Sequence, residues 1–299
     1  MRDIVVIDAP SNLGLRPPAP GTVPGCYKLA GALREQRIVQ RLRALEGGVV
    51  VPPRYDRGTW QPGDGVFNAA AIAAYTPRLA DRIEQHVRTG AFPLVLGGDC
   101  SIQLGASLAL RRLGRYGLAA VDASADFRHV GNSGAEAVGA AGGEELAIAT
   151  GRGQRDLTDL EGLGPYLRDE DVRLIGIRDG DEDLVELAEL KIPVLTVGEL
   201  RRWGTAETVA GVVTSLETEA LDGFWVHLDA DALDPEVMPA VDAPDPHGLL
   251  PDEAATVLRA LVRSPRCVGM NVTIYDPDLD PDATAAALLT DLLVAAFAE

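Results

Sequence analysis

The sequence has few cysteines, few histidines and few basic residues for its length. Its 299 residues include 3 Cys and 4 His, and 27 Lys and Arg stand against 45 Asp and Glu, for a formal net charge of −18. Such an acidic balance excludes nucleic acid as the expected partner. The cysteines Cys26, Cys100 and Cys267 are too widely spaced for a disulfide framework or a CxxC zinc site, so we expect a reducing, cytoplasmic environment.

Long apolar runs are also missing. No window approaches the ~18 apolar residues of a membrane-spanning helix, and the opening run from Ile4 to Ile7 is too short for a signal peptide. We therefore expect no membrane partner. The chain is 46% hydrophobic, with 32 Gly and 20 Pro, which is typical of a globular protein with a full core.

Short apolar runs bounded by Gly, Pro or Asp recur along the chain and predict strands. The runs are Ile4 to Ile7, Val49 to Val51, Leu94 to Leu96, Leu118 to Val121, Val172 to Ile177, Val194 to Val197, Phe224 to Leu228 and Val268 to Ile274. Because they are apolar on both faces, they favour a parallel sheet that is covered by helices on both sides.

Helical spacing of Leu, Ala and Val fills most of the intervening segments. The predicted helices are Pro24 to Leu45, Ala69 to Val87, Ile102 to Leu113, Glu207 to Glu219, Pro251 to Val262 and Asp282 to Phe297. With no linker to break the chain, we expect one α/β domain over residues 1–299. Its architecture would be a three-layer α/β/α sandwich around a parallel sheet of about eight strands, with any site at the carboxyl ends of the strands.

Acidic residues follow three of the predicted strands. A single aspartate at a strand end is an ordinary turn or helix cap. Several together would repel one another at the mouth of one sheet, and a cation or protonation must relieve that repulsion. A divalent metal is the simplest relief. The segments are Gly97-Gly98-Asp99-Cys100-Ser101, Asp122-Ala123-Ser124-Ala125-Asp126 and Asp229-Ala230-Asp231-Ala232-Leu233-Asp234-Pro235.

At these segments the sequence resembles the arginase/agmatinase (ureohydrolase) family. The family patterns are Gly-Gly-Asp-His-Ser, Asp-Ala-His-x-Asp and Ser-x-Asp-x-Asp-x-x-Asp-Pro, in the same order, and the resemblance covers the whole chain. Thr150-Gly151-Arg152-Gly153 and the late Asp276-Pro277 add to it. The resemblance implies an arginase/deacetylase-like sandwich in which two Mn²⁺ ions and a bridging hydroxide hydrolyse guanidino groups and release urea.

The sequence departs from the family pattern at both motif histidines. Cys100 stands at the first histidine position and Ser124 at the second. The resemblance then implies one metal site of Cys100, Asp122, Asp126 and Asp229. A second would keep Asp122, Asp229 and Asp231, with Ser124 as a weak ligand. We therefore expect at most one tightly bound divalent metal, most readily Mn²⁺, or none.

Two further family positions differ. The family's proton-relay His-Gly aligns with Gly142-Gly143, and its late substrate-binding acid aligns with Ile274, with Asn271 upstream. The resemblance therefore implies that an ordinary arginase or agmatinase activity is absent.

Several residues remain candidates for chemistry. Cys100 precedes a predicted helix, and three roles are open to it: metal ligand, small buried residue or nucleophile. In a strand, His227 would share a face with Asp229 and Asp231, as a substitute ligand or a base. The candidate proton carriers are Asp99 and His227, and the candidate substrate-binding residues are Ser124, His129, His247 and Asn271.

Three functions compete on this evidence. The first is a metal-dependent enzyme that hydrolyses a C–N bond of a small cationic substrate carrying a guanidino, amidino or amine group. The second is a non-catalytic pseudoenzyme, and the third is a metal-independent enzyme that binds a cationic ligand in the acidic pocket. In each case we expect a small-molecule ligand and a homo-oligomer.

We predict no appreciable urea release from arginine or agmatine. The motif departures leave the two-metal centre and the proton relay incomplete, and both are needed to generate and use a metal-bound hydroxide. A colorimetric urea assay with excess Mn²⁺ tests this expectation. A turnover of about one per second, within the ordinary range of enzymes, would refute it.

Overall fold

A computed structural model describes residues 2–298, so the ends of the predicted domain, Met1 and Glu299, lie outside the described residues. Eight strands form a single sheet in which every pairing is parallel. The strands are β1 (Ile4–Asp8), β2 (Leu45–Val49), β3 (Phe92–Leu96), β4 (Tyr116–Val121), β5 (Val172–Ile177), β6 (Val194–Thr196), β7 (Gly223–Asp229) and β8 (Cys267–Thr273).

Strand order places the site. The strands run β2-β1-β3-β8-β7-β4-β5-β6 across the sheet. The strands β3 and β4 follow each other in the chain, but β8 and β7 lie between them in the sheet. Strand numbers fall from β8 through β7 to β4 and then rise to β6, so the order of the strands reverses in this part of the sheet. In open α/β sheets such a reversal opens a crevice at the carboxyl ends of the strands, and ligands bind there.

Helices cover both faces of the sheet. The helices are α1 (Leu29–Glu35), α2 (Ile38–Leu42), α3 (Ala69–Arg88), α4 (Gln103–Leu113), α5 (Val130–Ser133), α6 (Glu145–Ala149), α7 (Arg155–Thr158), α8 (Leu184–Leu190), α9 (Val197–Trp203), α10 (Thr205–Leu216), α11 (Pro251–Arg263) and α12 (Thr284–Phe297). Two hydrophobic cores lie between the sheet and the helices. In one core the sheet packs against α1, α2 and α9–α12, and in the other it packs against α3, α4 and α6–α8. The predicted three-layer α/β/α sandwich is confirmed.

The structure corrects two predicted boundaries. The helix predicted from Pro24 to Leu45 is two short helices, α1 and α2, and Arg37 between them has a left-handed backbone with φ of 60°. Consequently β2 begins at Leu45 rather than Val49. This edge strand reads Leu-Glu-Gly-Gly-Val, and four of its five residues are exposed, so it lacks the continuous apolar run that revealed the central strands.

No helix among residues 2–298 is long and apolar enough to cross a membrane.

We predict that Gly269→Ala destabilises the fold. A Cβ at Gly269 on β8 would lie 2.1 Å from the Trp225 ring on the neighbouring strand β7. Overpacking of this kind typically costs about 1–3 kcal/mol. The matched control is Gly211→Ala in α10, where a Cβ would meet nothing within 4 Å. There the better helix propensity of alanine should stabilise by about 0.5–1 kcal/mol. Chemical denaturation should therefore show a lower free energy of unfolding for Gly269→Ala and a higher one for Gly211→Ala than for the wild type.

Candidate functional site

Loops from four adjacent strands converge at the predicted edge of the sheet. Asp122 follows β4 directly, Asp229 is the last residue of β7, and Cys100 lies in the turn after β3. The turn after β3 requires glycine, because a Cβ at Gly98 would lie 1.9 Å from the Ser11 carbonyl oxygen. The sequence prediction that acidic groups meet here is realised in the geometry.

Three carboxylates form the centre of the site. One oxygen each of Asp122, Asp229 and Asp231 lies within 4.8 Å of the other two. Backbone N–H groups hold two of them in place: Ser124 donates to Asp122 Oδ1 at 3.0 Å, and Asp231 donates to Asp229 Oδ1 at 2.8 Å.

The carboxylates perturb one another strongly. Burial, followed by the charges of Asp231 and Asp122, raises the pKa of Asp229 well above its usual range. Burial and the charge of Asp122 raise the pKa of Asp231 to about 8. Without a cation, shared protons must therefore offset part of the negative charge.

Cys100 supplies one such proton. Its Sγ is fully buried and donates to Asp229 Oδ2 at 2.7 Å, with Thr273 Oγ1 at 3.3 Å. Burial and the Asp229 charge raise the pKa of the thiol well above its usual range. A protonated thiol is not a nucleophile. In this structure Cys100 is a buried hydrogen-bonding residue, and it also has metal-ligand spacing with His227 and Asp229.

Glu145 is a fifth carboxylate that the sequence analysis missed. It lies at the start of α6, is only 4% exposed, and shares a hydrogen bond with Asp126. Burial and the charges of Asp126 and Asp122 raise its pKa well above its usual range, and Glu145 Oε2 has no hydrogen-bond partner. The sequence signal that could have identified Glu145 is the acidic pair Glu144-Glu145, which follows Gly142-Gly143 and precedes an apolar run.

Asp126 stands apart from the central three. Its Oδ1 accepts from Ser124 Oγ at 2.8 Å, and its backbone is left-handed with φ of 47°. It belongs to none of the groups with ligand spacing. The geometry therefore does not gather the predicted set of Cys100, Asp122, Asp126 and Asp229 around one ion.

His227 does reach the site, from within β7. It is 1% exposed, and its Nε2 lies 3.6 Å from Asp122 Oδ2 with no hydrogen-bond partner. Its Nδ1 lies 2.7 Å from Asn271 Nδ2. Asn271 is therefore buried beneath the site beside His227, which corrects its assignment as a substrate-binding residue.

Three other predicted residues lie outside the site. Asp99 is fully buried and accepts hydrogen bonds from Ser11 Oγ at 2.6 Å and the Ser101 backbone at 2.9 Å, so it caps a turn. His129 caps α5 and contacts Glu186 at 3.1 Å. His247 is exposed on the loop that Asp234 holds. The sequence shows the spacing of these residues along the chain but not the direction of their side chains.

A cleft of about 410 Å³ opens above the carboxylates. Five aspartates and two arginines lie among its lining residues. The lining includes Ser124, Asp126, Asp229, Asp231, Asp242 and Asp245 together with Arg16, Arg128, Gly142, Gly143 and Ile274.

Two features shape the cleft. Arg178, which the sequence analysis missed, donates to the backbone carbonyls of Asp231 at 2.8 Å and Asp245 at 2.8 Å, and so holds the loop after β7. Ile274 lines the cleft with a left-handed backbone at φ of 71°, and its N–H donates to Gly98 O at 2.7 Å. This conformation is a strained one for a β-branched residue.

The fold and the site define a class: a parallel α/β/α sandwich with buried aspartates at the carboxyl ends of its central strands. The model of the Arginase family matches residues 2–298, and the chain belongs to that family. Members of the family are hydrolases of guanidino and amidino C–N bonds and normally bind manganese.

Individual relatives are similar to this chain over nearly its whole length. Arginase of Bacillus caldovelox is 29% identical over 302 residues, which cover 100% of this chain and 99% of that protein. Its native crystal structure superimposes with a TM-score of 0.88 at 28% identity, covering 100% of this chain and 99% of that one. Proclavaminate amidino hydrolase from Streptomyces clavuligerus, with a TM-score of 0.71 at 21% identity and coverage of 99% and 91%, shares the fold.

Three overlapping groups of side chains have metal-ligand spacing, and one of them consists of carboxylates alone. Asp122, Asp229 and Asp231 offer three hard oxygen ligands at suitable spacing, as Mn²⁺ and Mg²⁺ prefer. Five buried or partly buried carboxylates also leave a negative charge that an ion would offset. A second ion would have to share Asp122 and Asp229 without an imidazole ligand in either motif.

We predict that Asp229→Asn abolishes metal binding while Asp126→Asn does not. Asp229 belongs to the three-oxygen group and Asp126 lies outside it. An ion at about 100 times its Kd stabilises by roughly 2.7 kcal/mol, so chelator should lower the Tm of the wild type and of Asp126→Asn by several degrees. Differential scanning fluorimetry with and without chelator measures this. A chelator response that survives in Asp229→Asn, or that is lost in Asp126→Asn, contradicts the assignment.

Proposed function

We propose that this protein is a divergent member of its family that holds one divalent metal ion and hydrolyses a C–N bond of a small cationic substrate. The observation that carries the proposal is the group formed by Asp122, Asp229 and Asp231, of which Asp229 and Asp231 line an acidic cleft. The bound ion would act as a Lewis acid and lower the pKa of a water molecule.

The cleft defines the class of substrate. A guanidinium, amidinium or ammonium group would be attracted to Asp126, Asp229 and Asp231, which line the cleft. Arg16 and Arg128, among the other lining residues, carry the opposite charge and favour a substrate whose far end is neutral or anionic. At about 410 Å³ the cleft suits a molecule of amino-acid size rather than a polymer.

The residues of the site would bind the ion and orient the substrate. Asp122, Asp229 and Asp231 would hold the ion, and Ser124 Oγ, which donates to Asp126, keeps that carboxylate turned toward the cleft wall. Gly142, Gly143 and Ile274 occupy the cleft where the family places its proton relay and its substrate-binding acid. Because these three residues offer no titratable side chain, we infer that the substrate is not that of an ordinary arginase.

One observation favours a non-catalytic role instead. Protein donors already satisfy part of the acidic cluster, because Cys100 donates to Asp229 and Ser124 donates to Asp126. A pocket arranged in this way could bind a cationic ligand without any metal.

Metal content and turnover distinguish the two functions. We expect protein loaded with Mn²⁺ and then desalted to retain about one ion per chain, and Asp229→Asn to retain none. Two ions per chain would contradict the one-ion site. We further expect a panel of guanidino, amidino and amine compounds to include one that is hydrolysed only with metal present. One bound ion without hydrolysis anywhere in the panel would favour the non-catalytic binding protein.

A further inference from the structure

His227 is buried between two groups of different chemistry. Its Nδ1 faces Asn271 Nδ2 at 2.7 Å, and Asn271 Oδ1 lies 2.7 Å from Trp225 Nε1. Its Nε2 faces the acidic cluster, 3.6 Å from Asp122 Oδ2. The register of the strands explains why these three side chains lie in a row. Trp225 and His227 share one face of β7, and Asn271 is the partner of His227 on β8.

The Trp225 indole determines which way the Asn271 side-chain amide is turned. The Nε1–H of tryptophan is a donor only, so Asn271 must present its carbonyl oxygen to Trp225 and its NH₂ group to His227. The Nδ1 atom of His227 must then accept, and it carries no proton. In the neutral ring the proton therefore resides on Nε2. Rotating the Asn271 amide would set N–H against N–H at Trp225 and leave buried donors unpaired, which is unfavourable.

The position of this proton decides what His227 can bind. Its ring belongs to two groups with metal-ligand spacing, one with Cys100 and Asp229 and the other with Asp122 and Glu145. A metal needs the lone pair of an unprotonated nitrogen, and the nitrogen that faces these groups carries hydrogen. We propose that Trp225 and Asn271 are positioning residues that hold His227 in the Nε2–H form, so that an N–H group faces the acidic cluster and His227 is not a metal ligand.

The unpaired atoms support this assignment. His227 Nε2 and Glu145 Oε2 are both buried without a hydrogen-bond partner, and both belong to the group around Asp122. A proton on Nε2 would place positive partial charge beside Asp122 Oδ2, 3.6 Å away, on the side of Asp122 that faces Glu145. The assignment is independent of the proposed hydrolysis, because it concerns where one proton lies in the resting protein.

Nitrogen NMR of the wild type tests the assignment directly. In ¹⁵N-histidine-labelled, chelator-treated full-length protein at neutral pH, we expect the His227 Nδ1 resonance at the position of an unprotonated ring nitrogen and Nε2 at that of a protonated one. His227→Gln identifies the signals by their loss. A proton on Nδ1 of the wild type would overturn the proposal.

Asn271→Asp should reverse the proton. A carboxylate at 271 would accept from both Trp225 Nε1–H and His227 Nδ1–H, which frees the Nε2 lone pair. We expect the NMR signature to invert and Zn²⁺ affinity, measured by calorimetric titration of the metal alone, to rise at least about tenfold, the scale of such outer contacts. The double variant Asn271→Asp with His227→Gln should lose the gain. An unchanged tautomer in folded Asn271→Asp would overturn the proposal.

Trp225→Phe provides a second variant that keeps an aromatic ring against Gly269. Without the indole donor, Asn271 is free to turn, and both tautomers of His227 should become populated. If His227 remained wholly in the Nε2–H form, Trp225 would not be a positioning residue and that part of the assignment would be wrong.

Discussion

The concentration of negative charge at one edge of the sheet is the constraint on which the rest of the site depends. Parallel strands all end on the same side, so every acidic residue that follows a central strand is brought to one place. Asp122, Asp229 and Asp231 meet there, and Glu145 and Asp126 add to the charge. The neighbouring polar groups serve chiefly to lower this repulsion, by donating hydrogen bonds or by leaving room for an ion.

The chain offsets the charge with groups taken from several elements. The Cys100 thiol comes from the turn after β3, the His227 ring from within β7, and the Ser124 hydroxyl from the loop after β4. The thiol and the hydroxyl each donate a hydrogen bond to a carboxylate oxygen, and the His227 ring lies 3.6 Å from Asp122 Oδ2. Because these groups belong to separate strands, the site is assembled only when the sheet is complete, and its electrostatics are a property of the whole fold.

Sequence patterns predicted the sheet well and the site in part. The central strands β3, β4, β7 and β8 are continuous apolar runs, and the acids that follow them could be placed at a common edge because parallel strands allow no other arrangement. The missed residue Glu145 starts a short helix with no periodic signal of its own, and its burial depends on packing from distant parts of the chain. The histidines His129 and His247 follow the right segments but point away, since loop backbone geometry is set by local capping and not by spacing.

The strained backbone at Ile274 links the shape of the cleft to the turn after β3. A β-branched residue at φ of 71° stores about 1–3 kcal/mol, and burial and the hydrogen bond to Gly98 hold it there. The wall that Ile274 forms is therefore fixed from behind by the turn after β3, because its N–H is bound to the Gly98 carbonyl oxygen of that turn. The width of the cleft at this point depends on glycine at position 98, two strands' ends meeting where a larger residue would hold them apart.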